Sequence, residues 1–290
     1  MVGRGPLVGM PTFSERGEAG EAEVPLPGGD VTEGVVRVGA TVRRPVQPQT
    51  PAVHAFLRHL ELVGFDGAPR VLGIDDKGRE VLSFLPGDVP PRPMPAWAAT
   101  DEVLAGLARL QRRLHQAAAG FRPPPDARWD LPADVPELPP LPEEAPELVG
   151  HCDITPDNTV FRDGLPWAVI DFDLARPTSR LADVVITLRY WAPLADPVDR
   201  DPVLVEADAG ARMRVFADAY GLSDGERARL LDLADVRIAR SWHLMKGRAE
   251  RDGGGWARMW DEGVGDRLRR AHDWLRRERA TLAAQLDRQG

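Results

Sequence analysis

The stretch that most constrains this chain is Thr159 to Ile170. Thr159 to Phe161 and Trp167 to Ile170 are short apolar runs separated by Arg162-Asp163-Gly164-Leu165-Pro166. An Asp-Gly pair between such runs is a strong hairpin signal, because the tight turn needs positive φ at its centre. A hairpin has one open end. Asn158 stands just before the first run and Asp171 just after the second, so both are expected to emerge at that end. Asp153 lies on the proline-containing loop immediately upstream, within reach of the same place. Two carboxylates and an amide oxygen around one point, with no Cys or His pair beside them, suit Mg2+. Phosphoryl transfer needs the same kit: a base for the attacking hydroxyl, and oxygen ligands for metal ions that bridge nucleotide phosphates. Asp153 is the expected base, with Asn158 and Asp171 as the expected metal ligands.

The rest of the chain divides around this segment. Residues 1–23, rich in Gly, Pro and Glu, read as an N-terminal arm. From 24 to 87 the pattern is strand, glycine loop (Gly28, Gly29), strand, turn at Gly39 and a further strand over Thr41 to Arg44. A helix then carries Val53, Phe56, Leu57 and Leu60 on one face and stops at Gly64. Two more short strands, Arg70 to Ile74 and Glu80 to Phe84, flank the turn Asp75 to Gly78. Residues 88–290 are mainly helical. Val103, Leu107, Leu110 and Leu114 mark one helix, and the connection from Pro123 to Pro146 has too many prolines to hold another. Ser223-Asp224-Gly225-Glu226 has the form of a capping box opening a helix with Leu230, Ala234, Ile238 and Trp242. Val264, Leu268, Ala271 and Leu275 mark the last helix.

Length and charge bound the reading further. At 290 residues the chain can bury a large core without a partner. A net charge of -8 argues against a broad duplex-binding face, so no nucleic acid is expected. One cysteine, Cys152, precludes an internal disulfide framework, and the sequence has no apolar run near twenty residues. A cytoplasmic protein with no membrane contact is the expectation. The sequence does not speak to oligomeric state.

His151-x-Asp153-x4-Asn158 followed by Ile170-Asp171-Phe172 resembles the catalytic and metal-binding motifs of the aminoglycoside phosphotransferase family, relatives of the protein kinases. The resemblance covers most of the chain. It implies an α+β, bilobal, protein-kinase-like fold: a small antiparallel-sheet N-lobe with one helix, and a larger, mainly helical C-lobe. It implies Mg2+ and ATP, or GTP, as cofactors and a small hydroxylated molecule as acceptor. It places Arg43 at the α- and β-phosphates, the Gly28-Gly29 loop over the phosphates, and Ser83, Phe84 and Leu85 at adenine. His151 joins Asp153 in the catalytic loop, where the family's His bonds the loop backbone, and Asp183 resembles the buried Asp that braces that loop. Cys152 stands where Gly is usual, and Asp173 replaces the Gly after Asp-Phe. No Glu in the helix after Arg43 is placed to pair with it, and the nearest polar candidate is His54.

Arg43 and Arg44 are neighbours on a strand and must point to opposite faces; the resemblance selects Arg43. Candidate acceptor-site residues are Asp173, Trp191, Asp196, Trp242, Trp256 and Trp260, with Tyr190 and Glu262 beside them. Two rival readings remain. One is a catalytically weak nucleotide-binding regulatory or immunity-type protein. The other is a metal-dependent hydrolase on His151, Asp153 and Asp171.

Overall fold

In the computed structural model, residues 22–26, 34–130 and 145–286 are described. Gly28 and Gly29, and most of the proline-rich connection, lie outside them. The described residues open with strands β1 (Val24–Pro25), β2 (Val36–Val38) and β3 (Thr41–Pro45), then helix α1 (Thr50–Leu62) and strands β4 (Val71–Ile74) and β5 (Arg79–Ser83). They form one antiparallel sheet in the order β1-β2-β3-β5-β4. The β4–β5 turn is set by Asp75, whose Oδ1 accepts from the amides of Lys77 (3.0 Å) and Arg79 (2.8 Å), and by Gly78 at φ +74°. Helix α1 starts with Pro51 in its first turn, buries Val53, Phe56, Leu57 and Leu60, and gives way to Gly64 at φ +80°.

Helix α2 (Asp101–Ala118) is capped by Thr100, whose hydroxyl accepts from the Val103 amide at 3.2 Å. It buries Val103, Leu107, Leu110 and Leu114 and packs on α1. Next come β6 (Leu148–Gly150), the hairpin β7 (Thr159–Arg162) and β8 (Leu165–Val169), and β9 (Arg176–Thr178), which pairs antiparallel with β6. The hairpin turn is the expected Asp163-Gly164, at φ +52° and +77°. Helices α3 (Arg180–Trp191), α4 (Ala209–Tyr220), α5 (Asp224–Asp252), α6 (Gly254–Asp261) and α7 (Val264–Leu286) complete the described chain. The capping box forms as expected: Glu226 Oε2 accepts from the Ser223 amide at 2.9 Å, and Ser223 Oγ accepts from the Glu226 amide.

Three helices, α3, α4 and the short α6, left no clear signature in the sequence. In α3, Leu181, Val184, Val185, Ile186, Thr187, Leu188 and Trp191 are all buried, so no polar face alternates with an apolar one. Helix α4 buries Arg212 among its apolar residues, which blurs the same period. One apolar cluster runs from α1 through α2, α3, α4 and α5 to Leu286 at the end of α7. No described helix is long and apolar enough to cross a membrane.

Candidate active site

The β7–β8 register pairs Thr159 with Val169, and the Ile170 amide donates to the Asn158 carbonyl at 2.9 Å. The hairpin therefore opens between Asn158 and Asp171. At that mouth Asn158 Nδ2 donates to both the backbone carbonyl (3.0 Å) and Oδ2 (2.9 Å) of Asp153. The amide is thereby oriented: its nitrogen serves Asp153, and its oxygen is left for another ligand. Asp171 sits in the left-handed region, φ 63° and ψ 72°, which turns the chain sharply out of β8. Burial, reinforced by the facing carboxylate of Asp171, pushes Asp153 up to about 7.

A buried network holds the catalytic loop. Asp183, fully buried, accepts from the Cys152 amide at 2.7 Å, the His151 amide at 3.3 Å and His115 Nε2 at 2.8 Å. His115 Nδ1 in turn lies 2.6 Å from the Tyr220 hydroxyl. Burial opposes the charge of Asp183, but the bond from His115 and the neighbouring donors outweigh it and hold the group down at about 2. Gly150 is required where it stands, since a Cβ there would meet Thr178 Cγ2 at 2.6 Å and Asp183 Oδ2 at 2.9 Å. Cys152 occupies a left-handed position, φ 61°, which accounts for glycine as the usual residue. Burial pushes its thiol up to about 12, so it is no nucleophile.

His151 is wholly buried; its Nε2 donates to the Ile170 carbonyl at 3.0 Å and its ring packs on Phe172 at 4.5 Å. Burial also lowers its proton affinity. It ties the loop to the hairpin and does not reach the mouth, so its place beside Asp153 as a catalytic group is corrected to a bracing one.

The strand arginine also needs correction. Arg43 turns to Asp75, with Nη1 at 3.8 Å from Oδ2. Arg44 is the residue that faces the mouth: Nη1 donates to Asp171 Oδ1 at 3.0 Å, Nε to Glu80 Oε1 at 2.7 Å, and Nη2 pairs with Asp173. Glu80 sits opposite Arg44 in the β3–β5 register and is 2 % exposed. His54 of α1, fully buried, places Nε2 at 2.7 Å from Glu80 Oε2. The acidic partner sought on the helix therefore stands on the neighbouring strand, and His54 supports it from the helix. Cross-strand pairing between β3 and β5 is the signal that would have found it.

Of the residues placed at adenine, Ser83 and Phe84 have their amides engaged by Arg70 O (2.9 Å) and Ala40 O (2.8 Å). Leu85 is left as the one whose amide is outside those bonds. Several acceptor candidates have other employment. Trp191 is fully buried, its Nε1 donating to Ile154 O at 3.0 Å beneath the loop. Asp196 caps a short turn and pairs with Arg277 at 3.2 Å. Trp242 and Trp260 pack edge to face at 5.5 Å against Gly265, and Trp256 lies 4.4 Å from the guanidinium of Arg248. A cavity of about 330 Å3 between α5 and α7 is lined by Ile238, Ala239, Trp242, His243 and Leu268. It lies on the face of α5 turned away from Arg237, whose charged neighbours are Arg176 and Arg189. Glu262 is exposed at the α6–α7 junction. Asp173 is held at the mouth, through Arg44.

The donors fit a hard cation. Asn158 Oδ1 and the Asp171 carboxylate are oxygen ligands. Among the described residues no group of three His, Cys, Asp or Glu side chains is placed to hold a metal by itself. A cation here would complete its shell with oxygens from another molecule, as Mg2+ does with phosphates.

A sequence profile of the phosphotransferase enzyme family, APH, matches residues 125–231. The trifolitoxin immunity protein of Rhizobium leguminosarum bv. trifolii is 34% identical over 226 residues, 72% of this chain and 78% of that protein. Among solved structures, a microcompartment-associated aminopropanol kinase aligns with TM-score 0.59 at 13% identity, covering 92% of this chain and 95% of its own. An amicoumacin kinase in complex with AMP-PNP, Ca2+ and Ami aligns with TM-score 0.58 at 13% identity, covering 83% and 86%. The antiparallel sheet, the hairpin mouth and the helical part behind it are those of a protein-kinase-like fold, and the chain belongs to the APH phosphotransferase enzyme family.

Proposed function

We propose that the protein transfers the γ-phosphate of ATP, or GTP, to a hydroxyl of a small molecule in the cytoplasm, with Mg2+ as the metal. The observation that carries this reading is the Asn158 amide at the hairpin mouth, whose nitrogen is spent on Asp153 so that its oxygen is left for a cation. Residues 24–87 would hold the nucleotide, with Leu85 at the base and the Gly28-Gly29 loop over the phosphates. Arg44, rather than Arg43, would meet the phosphates.

Asp153 acts as the base. Its raised proton affinity lies near neutrality, where a carboxylate both stays partly ionised and takes a proton readily. As the acceptor oxygen bonds to the γ-phosphorus, its proton passes to Asp153. The bond from that phosphorus to the bridging oxygen breaks, and its electron pair leaves with the diphosphate. Asn158 and Asp171 would hold Mg2+, which supplies charge neutralisation across the phosphates. Arg44, pinned by Glu80 and Asp171, keeps a fixed positive charge at the same mouth.

The test is transfer of labelled γ-phosphate to a panel of hydroxylated small molecules with and without EDTA. Metal-dependent labelling of an acceptor supports the reading; label released from simple esters without nucleotide contradicts it. A second reading rests on the immunity function in the relative's name: the fold binds Mg-ATP tightly and turns over little. Submicromolar nucleotide binding without transfer to any acceptor would favour it.

A further inference from the structure

Two arginines border Asp153 and a third borders both of them, each from a different element. Arg176 is on β9, opposite Gly150 in the β6–β9 register and so beside the start of the catalytic loop. Arg189 lies in the last turn of α3, its guanidinium 5.4 Å from the ring centroid of Tyr190. Arg237 is on α5, which packs against α3. Arg176 and Arg189 both lie within electrostatic range of Asp153, and Arg237 within range of both arginines, of Cys152 and of Tyr190. Tyr190 is 37 % exposed and feels Asp153 and Arg237 together. The groups are therefore neighbours, with the partly exposed Tyr190 among them.

Among the described residues the carboxylates nearby are committed elsewhere. Asp183 is filled by His115 and two backbone amides, and Asp153 accepts from Asn158. Arg92, which also borders Tyr190, is paired with Asp157. Arg176 spends Nη1 on the Leu174 carbonyl at 2.9 Å. Among the described residues the acidic groups that act most on Arg237 are Cys152 and Tyr190, both neutral at pH 7. Burial and the neighbouring Arg176 push Arg237 down to about 10. Among the described residues its guanidinium has no ion pair or hydrogen bond. Guanidiniums close to one another repel, and Arg237, without a described anionic partner, is left for an anion from another molecule to join it.

The geometry points to an anionic acceptor: a hydroxylated molecule whose carboxylate or phosphate is gripped by Arg237 and Arg189 while its hydroxyl meets Asp153. This rests on the phosphotransferase reading and specifies its substrate class. Guanidinium forks match both anions in a bidentate manner, and neither a cationic amine nor a neutral polyol would relieve the repulsion.

The test measures binding of glycerate, glycerol 2-phosphate, glycerol and choline to the full chain in the presence of Mg-AMP-PNP, by calorimetry at millimolar ligand. At least one of the two anions is expected to bind at least tenfold more tightly than glycerol and choline, and the better one identifies the headgroup. Arg237→Gln is expected to lose that preference tenfold or more while keeping its affinity for Mg-AMP-PNP within twofold. Arg237→Lys should recover part of the loss. Choline binding more tightly than both anions, no affinity for either anion, or an Arg237→Gln protein that still prefers anions would each overturn the proposal. Failure of the parent protein to bind Mg-AMP-PNP would instead strike the phosphotransferase reading.

Discussion

Arg44 Nη1 donates to Asp171 Oδ1 across 3.0 Å, joining residues 127 positions apart. The same guanidinium holds Glu80 at 2.7 Å, and Glu80 holds His54 at 2.7 Å. A strand of the sheet, its neighbour and helix α1 are thus wired to the carboxylate expected to carry the metal. Burial works against the charge on Arg44, but Asp171 and Glu80 outweigh it and the group stays protonated.

Breaking this chain at one link leaves a buried charge alone. Arg44→Met is expected to destabilise the fold by about 3 kcal/mol, because Glu80 is then uncompensated, while Arg44→Met with Glu80→Met is destabilised by less than the sum of the two single changes. Urea unfolding of the four proteins checks the cycle. Nucleotide affinity should fall roughly tenfold or more in Arg44→Met, about 1.4 kcal/mol per tenfold. It should change far less in Arg43→Met, whose guanidinium turns to Asp75.

Asp183 gives the fold an acid limit. An unfolded aspartate ionises near 3.8, and this one is held down at about 2. A depressed carboxyl contributes stability that is present in full above the unfolded value and is lost as pH falls through the folded one. The contribution is about 2 kcal/mol at neutral pH and should disappear between about pH 4 and pH 2. Asp183→Asn is expected to be the less stable protein at pH 7, with its deficit narrowing over that interval. Unfolding midpoints measured across the pH range decide it.

Cys152 should be chemically quiet and replaceable. Its thiol is 2 % exposed and pushed up to about 12. Thiol reagents are expected to label it only when the protein unfolds. Cys152→Gly gains backbone ease at φ 61° and loses a small buried side chain, two effects of about 1 kcal/mol and opposite sign. Its midpoint and its activity should stay close to those of the parent.

How much of this could be read from the sequence differs from residue to residue. The hairpin was legible because Asp163-Gly164 and the runs beside it are local signals, and the meeting of Asn158 with Asp153 followed from its topology. Helix α1 was legible for a like reason, its buried positions falling at helical spacing. The choice between Arg43 and Arg44 was not. Alternation says that they part, but which one faces Asp171 depends on how the sheet is docked against a loop 127 residues away. Glu80 was missed because the acid was sought on α1, whereas cross-strand pairing supplies it. Whether Trp191 belongs to the core or to an acceptor pocket is settled by its packing beneath Ile154, which spacing along α3 does not reveal. The arginines Arg176, Arg189 and Arg237 share no local pattern, since β9, α3 and α5 each contribute one.

The most direct measurement is single-turnover phosphate transfer by Asp153→Asn beside its affinity for Mg-AMP-PNP. Asn keeps the shape of the side chain and removes its repulsion with Asp171, so folding and nucleotide affinity should hold. Transfer should slow by roughly 10²–10⁴-fold, the usual contribution of a general base. An Asp153→Asn protein that transfers phosphate at the parent's rate, with binding unchanged, would contradict the account.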